Sequence, residues 1–118
     1  MSKILVVDDD MINRKLLNVL LKKSGYTDII EAENGKEALA IIQAEPIDMV
    51  LLDIIMPEMN GIDLLKILKK DEKLKNIPVA ILTTDDTKKT EALKIGACNV
   101  LIKPIKEPDL KAILSQNL

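Results

Sequence analysis

The chain is 118 residues long, carries 17 Lys plus Arg against 19 Asp plus Glu for a formal net charge of −2, and is 47% apolar. That size fits a single domain over residues 1–118. The balanced charge, with Tyr26 as its one aromatic residue, excludes the basic, base-stacking surface of a nucleic-acid binder, and the lack of His excludes Ser–His and Cys–His nucleophile pairs, His-ligated zinc and an internal phosphohistidine.

In chain order, Lys3-Ile4-Leu5-Val6-Val7 reads as a strand over 3–7 and runs straight into Asp8-Asp9-Asp10. A helical period follows over 11–24, closed by Ser24-Gly25, where glycine can take the left-handed cap conformation. The second strand falls at 27–31, after which Asn34-Gly35 opens a helix over 35–44 that Pro46 stops. The run at 48–52 is nearly continuous in apolar residues and ends on Asp53, as expected for a strand covered on both faces. Met59-Asn60-Gly61 opens a helix over 61–70, and a strand over 78–82 leads into Thr83-Thr84. Asp85 or Asp86 suits the N-cap of a helix over 86–96. The last strand, 100–102, ends on Lys103-Pro104, and a helix over 107–116 carries Pro108 in its first turn. Cys98, the single cysteine, is expected as buried packing and leaves no intramolecular disulfide, which fits a reducing compartment. No run approaches a transmembrane length, and Ile4 to Val7 is too short for a signal-peptide core, so a soluble cytoplasmic protein is expected.

Strand-helix alternation of this kind, with right-handed crossovers, predicts a doubly wound α/β sheet. Ligands bind such sheets outside the carboxyl ends of the strands, where the winding reverses. An order 2-1-3-4-5 would put that point between the first and third strands, and Asp8, Asp9 and Asp53 would then share a pocket flanked by Thr83 and Lys103. Three clustered carboxylates repel one another unless a cation holds them. A hard divalent ion with oxygen ligands, Mg²⁺ above all, suits that set. Three carboxylates, one Mg²⁺ and one Lys sum to neutrality, and such a site can receive a phosphoryl group.

The motifs Val6-Val7-Asp8-Asp9, Leu51-Leu52-Asp53, Met56-Pro57-x-Met59-x-Gly61, Leu82-Thr83, Gly96-Ala97 and Ile102-Lys103-Pro104 follow one another over essentially the whole chain. In this the chain resembles a receiver domain of two-component response regulators, of the stand-alone CheY-like type. The resemblance implies a five-stranded parallel sheet with helices on both faces. It also implies that Asp53 takes a phosphoryl group from a phosphohistidine on a sensor histidine kinase or histidine phosphotransfer protein. Asp9 would bind Mg²⁺ directly, Asp8 mainly through water, and the backbone carbonyl of Ile55 would complete the protein's ligands. Lys103, set by a cis peptide to Pro104, would pair with a phosphoryl oxygen, and Thr83 would swing its hydroxyl onto the new phosphate. Such a protein is a switch or relay intermediate rather than an enzyme for an external metabolite. It catalyses its own phosphorylation and slow dephosphorylation. With no output domain expected after the fifth helix, it would act on a downstream target protein.

Several positions have plainer readings. Asp10 is expected as a cap or surface residue, and Met56, Met59 and Gly61 as shapers of a loop. Val100 stands where many receivers carry Tyr or Phe, so output is expected either through loop and fourth-helix movement or by relaying the phosphoryl group without such a switch. Ile55 would desolvate the approach of hydrolytic water, while Asp85 could orient it. Ile12 and Leu16 could stay exposed beside Pro104 and Ile105 and dock a partner helix. Lys88, Lys89 and Lys94 read as a solvated face. Three rivals remain: a small aspartate-based phosphatase of the haloacid-dehalogenase type, using Asp8 and Asp10; a flavodoxin-like binding module, which the Asp-rich first loop and missing rings oppose; and a degenerate receiver used only as a scaffold, which the complete set of five site residues opposes.

Overall fold

The computed structural model describes residues 2–54, 56 and 59–118. Its strands are β1 (Lys3–Val7), β2 (Asp28–Ala32), β3 (Met49–Asp53), β4 (Val79–Thr83) and β5 (Asn99–Ile102). They alternate with helices α1 (Met11–Lys23), α2 (Gly35–Ala44), α3 (Gly61–Lys70), α4 (Lys89–Ile95) and α5 (Glu107–Asn117). All strand pairs are parallel, in the order β2-β1-β3-β4-β5.

Successive strand side chains point to opposite faces. Leu5, Val7, Val50, Leu52 and Ile81 therefore meet Ala38 and Ile42 of α2, Leu64, Leu65 and Leu68 of α3 and Ala92 of α4. Ile4, Val6, Met49, Leu51, Ala80 and Leu82 meet Leu17 and Leu21 of α1 and Leu110, Ile113 and Leu114 of α5. β3 and β4 are buried along their whole length, which is why their sequences are apolar without alternation. Each fully buried Leu or Ile in these layers contributes roughly 1.5–3 kcal/mol relative to exposure.

Polar side chains start the helices. Asp10 Oδ1 accepts from the Ile12 N–H at 2.9 Å, which makes Asp10 the N-cap of α1. Asn34 Oδ1 accepts from the Glu37 N–H at 2.8 Å, and Asn60 Oδ1 from the Asp63 N–H at 2.9 Å. Gly25, with φ +93°, carries the chain past the end of α1.

Two expectations change. The helix expected over 86–96 begins as a 3₁₀ turn, Asp86–Lys88, before α4, because the Asp85 carboxylate draws the Thr87 N–H to 3.0 Å and tightens the first turn. Cys98 is exposed, not buried. Between α4 and β5 the buried position goes to Ala97, and the next residue turns outward while its N–H pairs with the Val79 carbonyl at 2.9 Å. Enough protein still surrounds the sulfur that burial pushes the Cys98 thiol up, more than the Lys69 charge pulls it down.

Candidate functional site at the carboxyl edge of the sheet

The register brings the chemistry together. Val7 pairs with Leu52, Asp53 with Leu82, and Thr83 with Ile102, so the residues that follow these strands leave the sheet along one edge. There, one carboxylate oxygen from each of Asp8, Asp9 and Asp53 lies within 4.8 Å of the others. Asp8 and Asp53 are buried and Asp9 faces solvent. Lys103 reaches in from the end of β5, with Nζ 3.0 Å from Asp8 Oδ2 and 3.2 Å from Asp53 Oδ2.

Three carboxylates against one ammonium leave two negative charges, the charge of one divalent cation. The donors are all oxygens, which suits Mg²⁺ and not a soft metal. Asp8, Asp9 and Asp53 would hold such an ion, leaving the remaining positions to water and phosphate oxygens. Burial alone would pull the Lys103 ammonium down. Its hydrogen bond to Asp8 and the charges of Asp53 and Asp8 outweigh that, holding it above its ordinary value. Lys103 is therefore a fixed cation at neutral pH.

The neighbouring backbone is crowded. A Cβ on Gly61 would stand 2.2 Å from the Asp53 carbonyl oxygen, and the Gly61 N–H donates to the Ile54 carbonyl at 2.8 Å. The start of α3 is thus pressed against the end of β3, and only glycine fits there. Thr83 is wholly buried, its Oγ1 accepting from the Asp85 N–H at 3.1 Å. The Asp85 carboxylate is engaged with Thr87, whose side-chain and backbone hydrogen bonds hold it below the usual carboxylate value. The Lys103–Pro104 peptide is cis.

The structure therefore gathers Asp8, Asp9, Asp53 and Lys103, and sets Thr83 at the end of the strand beside that of Asp53. Ile55, whose carbonyl the sequence reading assigned to the cation, lies outside the described residues, as do Pro57 and Glu58. Asp10 caps α1 through Oδ1, as expected of a cap residue, and is not among the acids gathered with Asp53.

Sequence reasoning passed over Arg14. It is buried in α1, donating from Nη1 to the Asp8 carbonyl at 2.7 Å and from Nε to Glu31 Oε1 at 3.0 Å. One signal was available: Glu31 is a charge inside the otherwise apolar strand Ile29-Ile30-Glu31-Ala32, and such a residue needs a partner.

Residues 4–115 match the response regulator receiver domain family. The chain belongs to that family. Among its relatives, chemotaxis protein CheY1 of Helicobacter pylori is 41% identical over 112 residues, covering 92% of this chain and 90% of that one. Protein PilH of Pseudomonas aeruginosa is 39% identical over 112 residues, covering 93% and 92%. The two-component response regulator ORR7 of Oryza sativa subsp. japonica is 37% identical over 118 residues, but the chain spans only 56% of its length. Of solved structures, response regulator TrrA of Thermotoga maritima in complex with Mg²⁺–BeF matches with a TM-score of 0.91 at 32% identity, both chains covered in full.

Proposed function

We propose that this chain, as one receiver domain over residues 1–118, accepts a phosphoryl group on Asp53 and signals by that change. The observation that carries the reading is Lys103 bridging Asp8 and Asp53 inside a cluster of three acids. An Asp53 carboxylate oxygen attacks phosphorus in line; the new O–P bond forms as the P–N bond to a donor imidazole breaks, and that nitrogen keeps the electron pair and takes a proton. Bound Mg²⁺ supplies positive charge to the phosphoryl oxygens. Asp8, Asp9 and Asp53 would hold that ion, while Lys103 moves its ammonium from the Asp53 carboxylate to a phosphoryl oxygen without leaving the pocket. Thr83 turns its hydroxyl from the Asp85 N–H to donate to the phosphate, which unties the start of the 3₁₀ turn. Placement and fixed charge supply most of the catalysis in phosphoryl transfer. Asp53→Asn should abolish labelling by acetyl phosphate with Mg²⁺ present. Labelling that persists in Asp53→Asn and disappears in Asp8→Asn would instead identify an Asp8 nucleophile.

The donor is read as a histidine kinase or phosphotransfer protein presenting its phosphohistidine on a helix. An open groove of about 670 Å³ runs along α1, lined by Leu16, Leu17, Leu20, Thr84, Pro104 and Ile105, and Lys103, also in its wall, reaches on to Asp8 and Asp53. Leu16 is 59% exposed, and Ile12, also exposed, stands beyond the groove lining. Leu16→Glu should slow transfer from the kinase about tenfold or more while leaving acetyl phosphate labelling unchanged, a loss of roughly 1.4 kcal/mol or more in docking. Equal slowing with both donors would argue against docking there. Val100 is buried, so output is assigned to Thr83, the 3₁₀ turn and α4 acting on a downstream protein. No helix among the described residues is long and apolar enough to cross a membrane, and a cytoplasmic site of action suits the proposed partners.

A further inference from the structure

On α1, Arg14 shares the inward stripe with Leu17 and Leu21, where an aliphatic side chain would pack at no electrostatic cost. Burying a guanidinium and its carboxylate is seldom a source of net stability compared with apolar residues of similar volume. The hydrogen bonds give a reason for the charge. Asp8 is almost wholly buried where the chain leaves β1, so its backbone groups must find partners inside the protein. Its N–H continues the ladder to the Ala32 carbonyl at 3.2 Å, and Arg14 Nη1 donates to its carbonyl at 2.7 Å. That carbonyl belongs to the peptide joining Asp8 to Asp9. Asp8 Oδ1 meanwhile accepts from the Asp10 N–H at 2.9 Å, tying the far side of the turn.

Arg14 is itself fixed. Its Nε donates to Glu31 Oε1 at 3.0 Å, while Glu31 Oε2 accepts from Lys15 Nζ at 2.7 Å and from Asn18 Nδ2 at 2.6 Å. Burial would raise the Glu31 carboxyl, but these hydrogen bonds outweigh it and hold the group low, so it stays an anion opposite the guanidinium. Glu33 Oε1 also lies 3.8 Å from Arg14 Nη2, so Glu31 and Glu33 together balance Arg14 and Lys15, and Arg14 acts on the acids chiefly through the peptide it holds.

Resting on the proposed phosphoacceptor reading, the geometry points to Arg14 as a positioning residue for the Asp8–Asp9 pair. Its guanidinium, braced by Glu31, fixes the peptide between the two acids and so aims both carboxylates at one cation. Losing a group that orients a metal ligand typically costs 10–100-fold in affinity.

The test is Mg²⁺ binding by the whole protein, measured by calorimetry and by the Asp8 and Asp9 amide shifts. Arg14→Met/Glu31→Met removes one charge of each sign, leaving the field at the acids nearly unchanged and no buried ion unpaired. It should bind Mg²⁺ roughly tenfold more weakly. Arg14→Lys, keeping the charge and one donor, should recover part of that loss. Leu17→Ala, on the same helix face and comparably destabilised by denaturant, should bind Mg²⁺ as the unaltered protein does. A folded double variant with unaltered Mg²⁺ affinity overturns the inference, as does equal weakening in Leu17→Ala. If the double variant does not fold, unaltered affinity in Arg14→Lys overturns it. If the unaltered protein neither binds Mg²⁺ nor is labelled on Asp53, the phosphoacceptor reading fails instead.

Discussion

The carboxyl ends of β3 and β4 lie side by side, with Asp53 opposite Leu82 in the ladder, yet they are held by different means. At the end of β3, Asp53 and Ile54 are fixed through backbone: the Gly61 N–H donates to the Ile54 carbonyl, and the start of α3 is pressed against the Asp53 carbonyl so closely that no Cβ fits. Past β4 the chain is held by side chains. Thr83 Oγ1 takes the Asp85 N–H, Asp85 takes the Thr87 N–H, and beyond lie a 3₁₀ turn and a helix of only seven residues. A group that must be in place before reaction belongs on the first kind of end. A group that must move afterward belongs on the second, where one hydrogen bond can be exchanged for another at small cost.

The largest break in this contrast should come from Gly61→Ala. The atoms its methyl would meet are backbone, so they cannot rotate aside, and the end of β3 must shift. We expect a loss of about 3 kcal/mol in urea unfolding, the upper end of what overpacking costs, together with slower acetyl phosphate labelling. Gly25→Ala serves as the control: its Cβ meets nothing within 4 Å, so it should lose only about 1–2 kcal/mol through its positive φ and keep its labelling rate. Unaltered labelling in Gly61→Ala would show that the end of β3 is not rigid in the sense argued.

Lys103→Met comes next. Without the ammonium, Asp8 and Asp53 face each other as buried like charges. The protein should lose on the order of 2 kcal/mol without metal, less than for a fully buried pair because Lys103 remains part exposed. Added Mg²⁺ should restore more stability to this variant than to the unaltered chain. Because the folded Lys103 value is raised, its contribution is complete below the ordinary lysine value of 10.5 and disappears only as pH climbs through the higher folded value. Urea midpoints from pH 7 to 11, with and without Mg²⁺, would check both points. A variant as stable as the unaltered chain throughout would remove Lys103 from the electrostatics of the site.

How much of this was legible from sequence follows from how local each cause is. Apolar runs announce buried strands, and Gly, Pro and Asn punctuate the helices, so four of the expected helices fall within a residue of their observed ends. The acids and Lys103 were legible because each follows an apolar run, and parallel pairing brings such positions to one edge. Arg14 and Glu31 were not, because their meaning depends on the register of α1 over β1 and β2, which no local pattern specifies. Cys98 misled for a related reason. Its hydrophobic character is intrinsic, but whether Ala97 or Cys98 turns inward is decided by how Gly96, at φ +130°, delivers the chain to β5.

The smallest expected effect sharpens the contrast from the mobile side. Hydrogen bonds from the Thr87 side chain and N–H hold the exposed Asp85 carboxyl below its ordinary value of 3.8. A lowered folded value means that the contribution is present above the unfolded value and is lost as pH falls through the folded one. Asp85→Ala should therefore lower the urea midpoint slightly at pH 6, and the difference from the unaltered protein should vanish toward pH 3. If the start of α4 is the element that moves, Asp85→Ala should also speed exchange of the Thr87 and Lys88 amides while leaving those of Asp53 and Ile54 unchanged. Equal acceleration at both strand ends would mean that β3 and β4 are tethered alike, and the division between a fixed end and a movable one would be lost.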